Sequence, residues 1–516
     1  MNELGNVNIS QEVVATIAES VVSEIEGVNS LVGGTSKNEI VKFFQNVSSG
    51  GKGIEVEVGE TECTLDLYIV AKMGYKLPAL AGEIQTKVVK AITEMTGLKV
   101  QEVNVYIQKI VKDEKKDVVP AAVAETAEII KKLQATGLDI QHIRRENRQG
   151  FKAGALKEGL AVAKGDFIAI FDADFLPQPD WLKRTVIYFK DPEIGVVQTR
   201  WGHINRNYSI LTKIQALALD VHFTLEQVGR NSKGYFINFN GTAGIWRKAC
   251  IYDAGNWEGD TLTEDLDLSY RAQLKNWKFK YLEDVETPAE LPVVISAARS
   301  QQFRWNKGGA ENFRKTVGRL LAAKNIGWKT KFHGVMHLLN SSMFLWVFIT
   351  AIFSIPMLYL KNQYGHLSWI FHFTSFFITS TIILFICYWF TYKNLQGKTF
   401  DDFLNYVKLF FTFFSVALGF SFHNTIAVLE GHSGKRSEFV RTPKFNISSL
   451  SDSWKNNKYI NTKLSPNMIV EFLLMLYFAF GLYSAVKLND FGMFPFHCML
   501  TLGFGFVFFK SLTSKA

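Results

Sequence analysis

The chain changes character near residue 332. Beyond it, apolar runs of membrane length alternate with short polar loops. Val335–Leu360 and Leu367–Tyr392 contain no charged residue. Each is long enough to cross ~30 Å of hydrocarbon at about 1.5 Å per residue with some tilt. Phe472–Val486, extending to Met468 and Leu488, and Phe491–Phe509 read as two more spans. A fifth run, Leu409–Leu429, holds His423, Asn424 and several hydroxyl side chains. The loops on both sides of it are basic: Lys393 and Lys398 precede it, and Lys435, Arg436, Arg441, Lys444, Lys455, Lys458 and Lys463 follow. The positive-inside rule puts both loops in the cytoplasm, so this run is expected to lie at the interface or re-enter, leaving four true spans. Just before the first span, Arg314, Lys315, Arg319, Lys324, Lys329 and Lys331 interleave with Phe, Trp and Leu. That pattern suits an amphipathic stretch on anionic lipid, with a plain solvated helix as the alternative.

Residues 1–111 carry shorter periods. Ser10 is placed to cap a helix with Val13, Val14, Ile17, Val21 and Ile25 on its apolar face. Ile54-Val56-Val58, Leu65-Leu67-Ile69 and Val103-Val105-Ile107 alternate as strands, and Leu80, Ile84, Val88 and Ile92 mark a second helix. The order predicts a small α+β domain with its helices on one side of the sheet. It has no catalytic constellation: Cys63 is alone, and the first His is His142. The run Lys112–Asp117 reads as a linker.

Composition narrows the class. With 47% apolar and 20% charged residues, the chain is not disordered. Its net charge of +9 could suit nucleic acid, but the basic residues flank apolar runs and form no soluble patch. The four cysteines (Cys63, Cys250, Cys387, Cys498) lack CxxC spacing, so neither a disulfide framework nor a zinc site is expected. The N-terminal MNELGNVNIS lacks a signal-peptide pattern, which places the soluble part in the cytoplasm.

The chemistry centres on Phe167–Phe171, an apolar run expected to be a strand buried on both faces, followed by Asp172-Ala173-Asp174. Ligands of open α/β sheets bind at the C-terminal ends of strands. Two Asp one residue apart can hold Mg²⁺ or Mn²⁺, which would neutralise a departing nucleotide diphosphate. Further on come Thr263-Glu264-Asp265 and Gln301-Gln302-Phe303-Arg304-Trp305. Each has a bland reading: Glu264 and Asp265 suit the start of any helix, and Trp305 could anchor at a membrane interface. His333 and His337, four apart with Gly334 between them, lack the Glu of a zinc protease and read as packing residues.

Two resemblances follow. GNVNISQEVVATIAESVVSEIEGV, the strand pair IEVEV and CTLDLYIV, and VQEVNVYIQKI resemble the alkaline-shock-protein family of envelope stress proteins. That implies a non-enzymatic module with a possible membrane partner. The order of Asp172-Ala173-Asp174, Thr263-Glu264-Asp265 and Gln301–Trp305 resembles processive family 2 glycosyltransferases of the cellulose-synthase-like type. Phe151–Leu156 matches that family's donor-side KAG segment and Asn240-Gly241-Thr242 its acceptor-side segment. Phe439–Lys444 is similar to its FxVTxK loop, with Arg441 in place of Val. The resemblance implies Asp265 as catalytic base beside Glu264. It assigns Lys152, Asp172 and Arg304 to the donor nucleotide, and Asp172 and Asp174 to the metal. Asn240, Gly241, Thr242, Gln301 and Trp305 fall to the acceptor.

One departure stands out. The family opens with a strand, a PxYNE turn, a helix and a second strand ending in an acidic pair; here Val118–Ala124 stands there, with Ala121 and Ala122 in place of the acids. The expected architecture is thus an α/β GT-A-type domain lacking its first strands, with C-terminal transmembrane helices and a small α+β N-terminal domain. The divisions fall at 1–111, a linker 112–125, a transferase core 126–298, amphipathic helices 299–334, and a membrane region 335–516 with a cytoplasmic loop 430–465. The expected activity is inverting hexosyl transfer from a UDP-sugar, UDP-glucose by resemblance, to a growing glycan or a lipid at a bacterial cytoplasmic membrane. No nucleic acid is expected as a partner. The alternative is a catalytically impaired chimera or an envelope-stress scaffold.

Overall fold

A computed structural model describes residues 9–31, 53–59, 61–111, 125–145, 147–367, 378–447 and 466–513, with single positions 369, 449, 452 and 454 between. The expected linker at Lys112–Asp117, the Val118–Ala124 segment and most of the loop beyond Ile447 lie outside these residues. The chain divides into two compact units, Met1–Arg144 and Arg145–Ala516. The transferase core was expected from 126; the second unit starts at Arg145, and a helix over 125–134 falls in the first.

The first unit is α+β. Helices α1 (Gln11–Glu24) and α2 (Leu77–Thr96) pack on a sheet of β1 (Val28–Leu31), β2 (Ile54–Val58), β3 (Glu62–Lys72) and β4 (Lys99–Val111). Strand β3 is central: β1 and β2 pair with it antiparallel, β4 parallel. Period-2 alternation turns Cys63, Leu65, Leu67, Ile69 and Ala71 of β3 toward the helices, and Leu80, Ile84, Val88 and Ile92 of α2 meet them fully buried. The α1 face is Val14, Ile17, Ala18 and Val22; Val13 is exposed, so the expected stripe is rotated by one position. Ser10 is the N-cap residue, but its side chain makes no capping bond; its carbonyl accepts the N–H groups of Val13 and Val14.

The second unit is built on a mixed sheet of β5 (Phe167–Ile170), β6 (Ile194–His203), β7 (Gly244–Arg247) and β8 (Lys278–Ala289), in the order β5-β7-β6-β8. β7 runs antiparallel to both β5 and β6, and β6 is parallel to β8. The reading of Phe167–Phe171 as a strand buried on both faces is therefore corrected. Among the described residues β5 is an edge strand; Phe167 is 36% exposed, and only Ile170 is fully buried. No described strand pairs with its outer edge. The pairing that remains holds the turn after β5 in place: Ala243 N–H donates to the Ile170 carbonyl.

Helices α3 (Phe151–Val162), α4 (Ile210–Val221), α5 (Glu264–Leu274) and α6 (Ile295–Ala322) surround the sheet. α6 is less interfacial than its basic residues suggested. Lys307 is fully buried against Glu430, and the Lys315 ammonium lies 2.7 Å from both Glu258 and Asp260 and 3.0 Å from Asp267. Among the described residues three helices are long and apolar enough to cross a membrane: α7 (Trp328–Gln363), Asn467–Lys487 and Phe494–Thr513. They contain three of the four expected spans. Of the fourth, Leu367–Tyr392, residues 368 and 370–377 lie outside the described set, and residues 378–392 belong to the helix Ile378–Leu395. The fifth run bends by 51° between Phe400–Gly419 and Ser421–Ser433, the geometry of a broken span or a re-entrant loop. Gly419 and Gly503 touch backbone to backbone, so a side chain on either would overlap the other helix.

The edge position of β5 makes a prediction. By hydrogen exchange, every second amide from Phe167 to Ile170 should exchange as an unpaired edge does, while the amides facing β7 are protected. Uniform protection along β5 would show that another segment pairs with it.

Candidate active site

The two carboxylates after β5 and the two at the start of α5 open into one cavity of about 490 Å³. Local structure explains the placement. The main chain leaves β5 at Ile170, and the Asp172 N–H donates to Thr242 Oγ1 at 2.8 Å. Thr242 is fully buried in the Asn240–Ala243 turn, where Gly241 (φ +80°) and Ala243 (φ +55°) are left-handed. Buried Gln198 on β6 holds that turn. Its Oε1 accepts the Asn240 N–H, and its Nε2 donates to the carbonyls of Thr242 and Ala243. Gly241 is required twice over: by its φ, and because a Cβ there would lie 2.9 Å from Asp265 Oδ2.

Lys152, in the first turn of α3, reaches the centre. Its Nζ lies 2.6 Å from Asp172 Oδ1 and donates to the Gly241 carbonyl at 2.9 Å. Burial works to lower its pKa, but Asp172, Glu264 and Asp265 outweigh it and hold the ammonium charged. Glu264 and Asp265 begin α5, with Thr263 at the N-cap. Burial foremost, with repulsion from Asp265, pushes Glu264 up to about 7; burial foremost, with repulsion from Asp172, pushes Asp265 up to about 6; Lys152 pulls both down. Asp265 Oδ1 accepts only the adjacent Leu266 N–H among the described groups, at 2.9 Å.

Arg304 comes in from α6. Burial lowers its pKa against the pull of Glu264, Asp172 and Asp265. Its Nη2 donates to Thr442 Oγ1 at 2.6 Å, its guanidinium lies 4.4 Å from the Phe439 ring, and its Nε is buried without a partner. Gln301 and Trp305 line the same cavity one helical turn apart. The structure thus brings together all eleven residues singled out from the sequence: Lys152, Asp172, Asp174, Asn240, Gly241, Thr242, Glu264, Asp265, Gln301, Arg304 and Trp305. For Thr242 the contact is indirect; it supports the turn from beneath, in bond with the Asp172 amide. His333 and His337 are elsewhere: His333 stacks on Tyr235 at 4.2 Å, and His337 pairs with Tyr270 Oη at 2.8 Å.

The segment read as an FxVTxK-like loop does lie at the cavity, with Phe439, Arg441, Thr442 and Lys444 lining it; Glu290 and Arg145 were not read from the sequence. Lys444 Nζ sits 2.7 Å from Asp174 Oδ2 and donates to the Glu290 carbonyl. The Glu290 side chain accepts the N–H groups of Phe445, Asn446 and Ile447. Arg145 is placed by hydrogen bonds to the carbonyls of Gln149 and Phe151. A lone Glu in a loop carries no local pattern, so nothing in the sequence pointed to Glu290.

The donor set suits a hard divalent cation. Asp172 and Asp174 both face the cavity, and the lysines engage Oδ1 of one and Oδ2 of the other, so each carboxylate has a second oxygen to offer. A second acidic group, Glu258, Asp260 and Asp267, has metal-like spacing, but the Lys315 ammonium stands among its oxygens.

Comparison with known proteins assigns both units. Residues 1–112 match the model of the alkaline-shock-protein 23 family, described as of cell envelope-related function. Residues 98–308 match the model of glycosyltransferase-like family 2. The chain joins an alkaline-shock-family domain to a family 2 glycosyltransferase domain. A probable glucomannan 4-beta-mannosyltransferase 11 of Oryza sativa is 47% identical over 206 residues, 39% of this chain and 36% of that protein. Glucomannan 4-beta-mannosyltransferase 2 of Arabidopsis thaliana is 47% identical over 198 residues, 37% of each chain. The chain thus spans little more than a third of the length of these relatives. Among solved structures, the mannosyltransferase PcManGT from Pyrobaculum calidifontis, in complex with GDP-Man and Mn2+, is 16% identical with a TM-score of 0.39. That match covers 65% of this chain and 79% of that one. The family 2 glycosyltransferase resemblance and the cellulose-synthase-like relationship hold, and the second unit is built on a mixed α/β sheet.

The raised carboxyl groups set the sign of a stability effect. A pKa raised on folding contributes stability that is complete below the unfolded value, near 4, and is lost as pH rises through 6–7. Glu264→Gln should therefore raise the melting temperature at pH 8 by roughly 2–4 °C and change it little at pH 5. Equal shifts at both pH values would contradict the assignment. Separately, Glu290→Ala leaves three backbone N–H groups without their acceptor, so limited trypsin treatment should cut faster after Arg441 and Lys444 than in wild type.

Proposed function

We propose that the chain is a membrane-embedded, inverting glycosyltransferase. It takes a hexosyl nucleotide at Lys152, Asp172 and Arg304 and passes the sugar to a glycan hydroxyl beside Asp265. The observation that carries this reading is the position of Lys152, bridging Asp172 and the Gly241 carbonyl while Glu264, Asp265 and Arg304 face the same cavity. Inversion needs a base for the acceptor proton and positive charge for the departing diphosphate. Asp265, pushed up to about 6, is ionised at neutral pH and more basic than an ordinary Asp. The Arg304 fork and Lys152 supply cationic donors for phosphate oxygens. Mg²⁺ or Mn²⁺ held by Asp172 and Asp174 would add neutralisation of the diphosphate when bound. Trp305 offers a flat apolar face to a sugar ring, with Gln301 and Asn240 as polar contacts, which favours a glycan over a lipid acceptor.

The donor reading shifts. UDP-glucose was the expectation; the relatives named above are mannosyltransferases, which favours a mannosyl nucleotide and leaves UDP-glucose as the competitor. The site of action in this reading is a cytoplasmic membrane, with the alkaline-shock domain as contact to a membrane partner. A second reading, an impaired transferase kept as a scaffold, draws support from the open edge of β5.

The test is release of nucleoside diphosphate from GDP-mannose and from UDP-glucose by the detergent-solubilised full chain, with Mg²⁺ or Mn²⁺. Asp265→Asn should cut turnover by about 10²–10⁴-fold, and Asp174→Asn should abolish cation dependence. Because the base acts deprotonated, the rate should rise with pH through 6–7 and then level. A folded protein that turns over neither donor would sink the transferase reading and leave the scaffold.

A further inference from the structure

Behind the acceptor side of the cavity, α4 does not end as an ordinary helix. It runs into a π-helical turn, His222–Gln227. Such turns shift side chains out of α-register, and they are frequent at functional sites. Here the shift aims two side chains at one target. Gln227, fully buried, donates from Nε2 to Asn240 Oδ1 at 2.7 Å, and His222 Nε2 lies 3.1 Å from Asn240 Nδ2.

The proton positions follow link by link. Gln227 Nε2 also donates to the Asn238 carbonyl at 2.9 Å, and a carbonyl can only accept, so the Gln227 amide has one orientation. Its N–H groups therefore meet Asn240 Oδ1 as acceptor, which turns Asn240 Nδ2 toward His222. An amide NH₂ can only donate, so His222 Nε2 is the unprotonated nitrogen and the ring proton sits on Nδ1. Nδ1 lies 3.2 Å from Glu226 Oε2, one helical turn on, and the carboxylate accepts that proton's hydrogen bond. Arg230 Nη2, 3.7 Å from the same oxygen, keeps Glu226 ionised and therefore an acceptor only.

Resting on the transferase reading above, we propose that His222, Gln227 and Glu226 are positioning residues for the acceptor. His222 and Gln227 each take one hydrogen-bonding position of the Asn240 side chain, and Glu226 fixes the tautomer that makes this possible. An amide offers two N–H groups and two lone pairs. With one of each engaged, Asn240 keeps one donor and one acceptor for the cavity it lines. That pairing suits neighbouring hydroxyls of a sugar ring, one accepting and one donating. It does not suit a carboxylate or phosphate, which can only accept.

Glu226→Gln separates this role from mere packing. The new amide is close to isosteric, but it can donate to His222 Nδ1 and move the ring proton to Nε2, where it confronts the Asn240 NH₂. In full-length protein labelled with ¹⁵N-histidine, and assigned with a His222→Gln variant, wild type should show His222 protonated at Nδ1 and Glu226→Gln should show it protonated at Nε2. In steady-state transfer, Glu226→Gln should raise the acceptor-oligosaccharide KM about 3–10-fold, the loss of one hydrogen bond, with the KM for the sugar nucleotide unchanged. Glu226→Asp, which can only accept, should recover most of the acceptor KM.

An Nε2-protonated His222 in wild type would overturn the proposal. So would donor and acceptor KM values rising together, or an acceptor KM within twofold of wild type. The tautomer readout needs no turnover. An inactive wild type with the expected tautomer would therefore sink the transferase reading while leaving the relay in place, and an active wild type with the wrong tautomer would do the reverse.

Discussion

The site depends on one constraint: four carboxylates share a small, partly closed cavity and cannot all stay charged without cations among them. Lys152 is the pivotal one. It binds Asp172 directly and opposes the burial of Glu264 and Asp265. Arg304 and Lys444 add charge from α6 and from the 439–447 segment. A site balanced in this way holds its cations in place at the cost of two carboxyl groups held well above their usual range. That conflict between stability and readiness is common where catalysis needs a base near neutral pH.

The sheet carries this arrangement although it is small. β7, antiparallel between β5 and β6, brings the Asn240–Ala243 turn against the end of β5, and buried Gln198 locks it. Residues from both sides of the cavity thus hang on one hydrogen-bonded corner. The open edge of β5 does not disturb that corner, because the Ile170 carbonyl and Asp172 amide are satisfied from the β7 side. This is the physical ground on which the later motifs can assemble although no described strand pairs with the outer edge of β5.

The apolar C-terminal helices also hold α6 in place. α6 delivers Gln301, Arg304 and Trp305 to the cavity, and its Arg299 pairs with buried Glu471 on the helix Pro466–Lys487. Lys307, further along α6, is buried against Glu430. The helix that holds Arg304 is therefore pinned to the apolar helices by two ion pairs, each costly to break because removal of one partner would strand a buried charge.

Much of this was legible in the residues alone. Period-2 and period-3.6 patterns located both packed helices and three of the four described strands of the first sheet, because one face of each element must be buried; the short β1 (Val28–Leu31) was not among them. Long uncharged runs marked the membrane helices. The short motifs marked eleven residues that do converge, because fixed spacing at the ends of a strand and a helix survives without knowledge of the rest. What the sequence could not carry was anything requiring two distant segments to meet. The exposure of β5 depends on which strand lies beside it. The turn of Lys315 toward Glu258, Asp260 and Asp267 depends on how α6 packs. The grip of Glu290 on 445–447 and the relay from Glu226 through His222 to Asn240 join residues that no local period links. Local patterns follow from how a chain alternates along itself; partners across the fold follow from packing, and only the tertiary structure decided those.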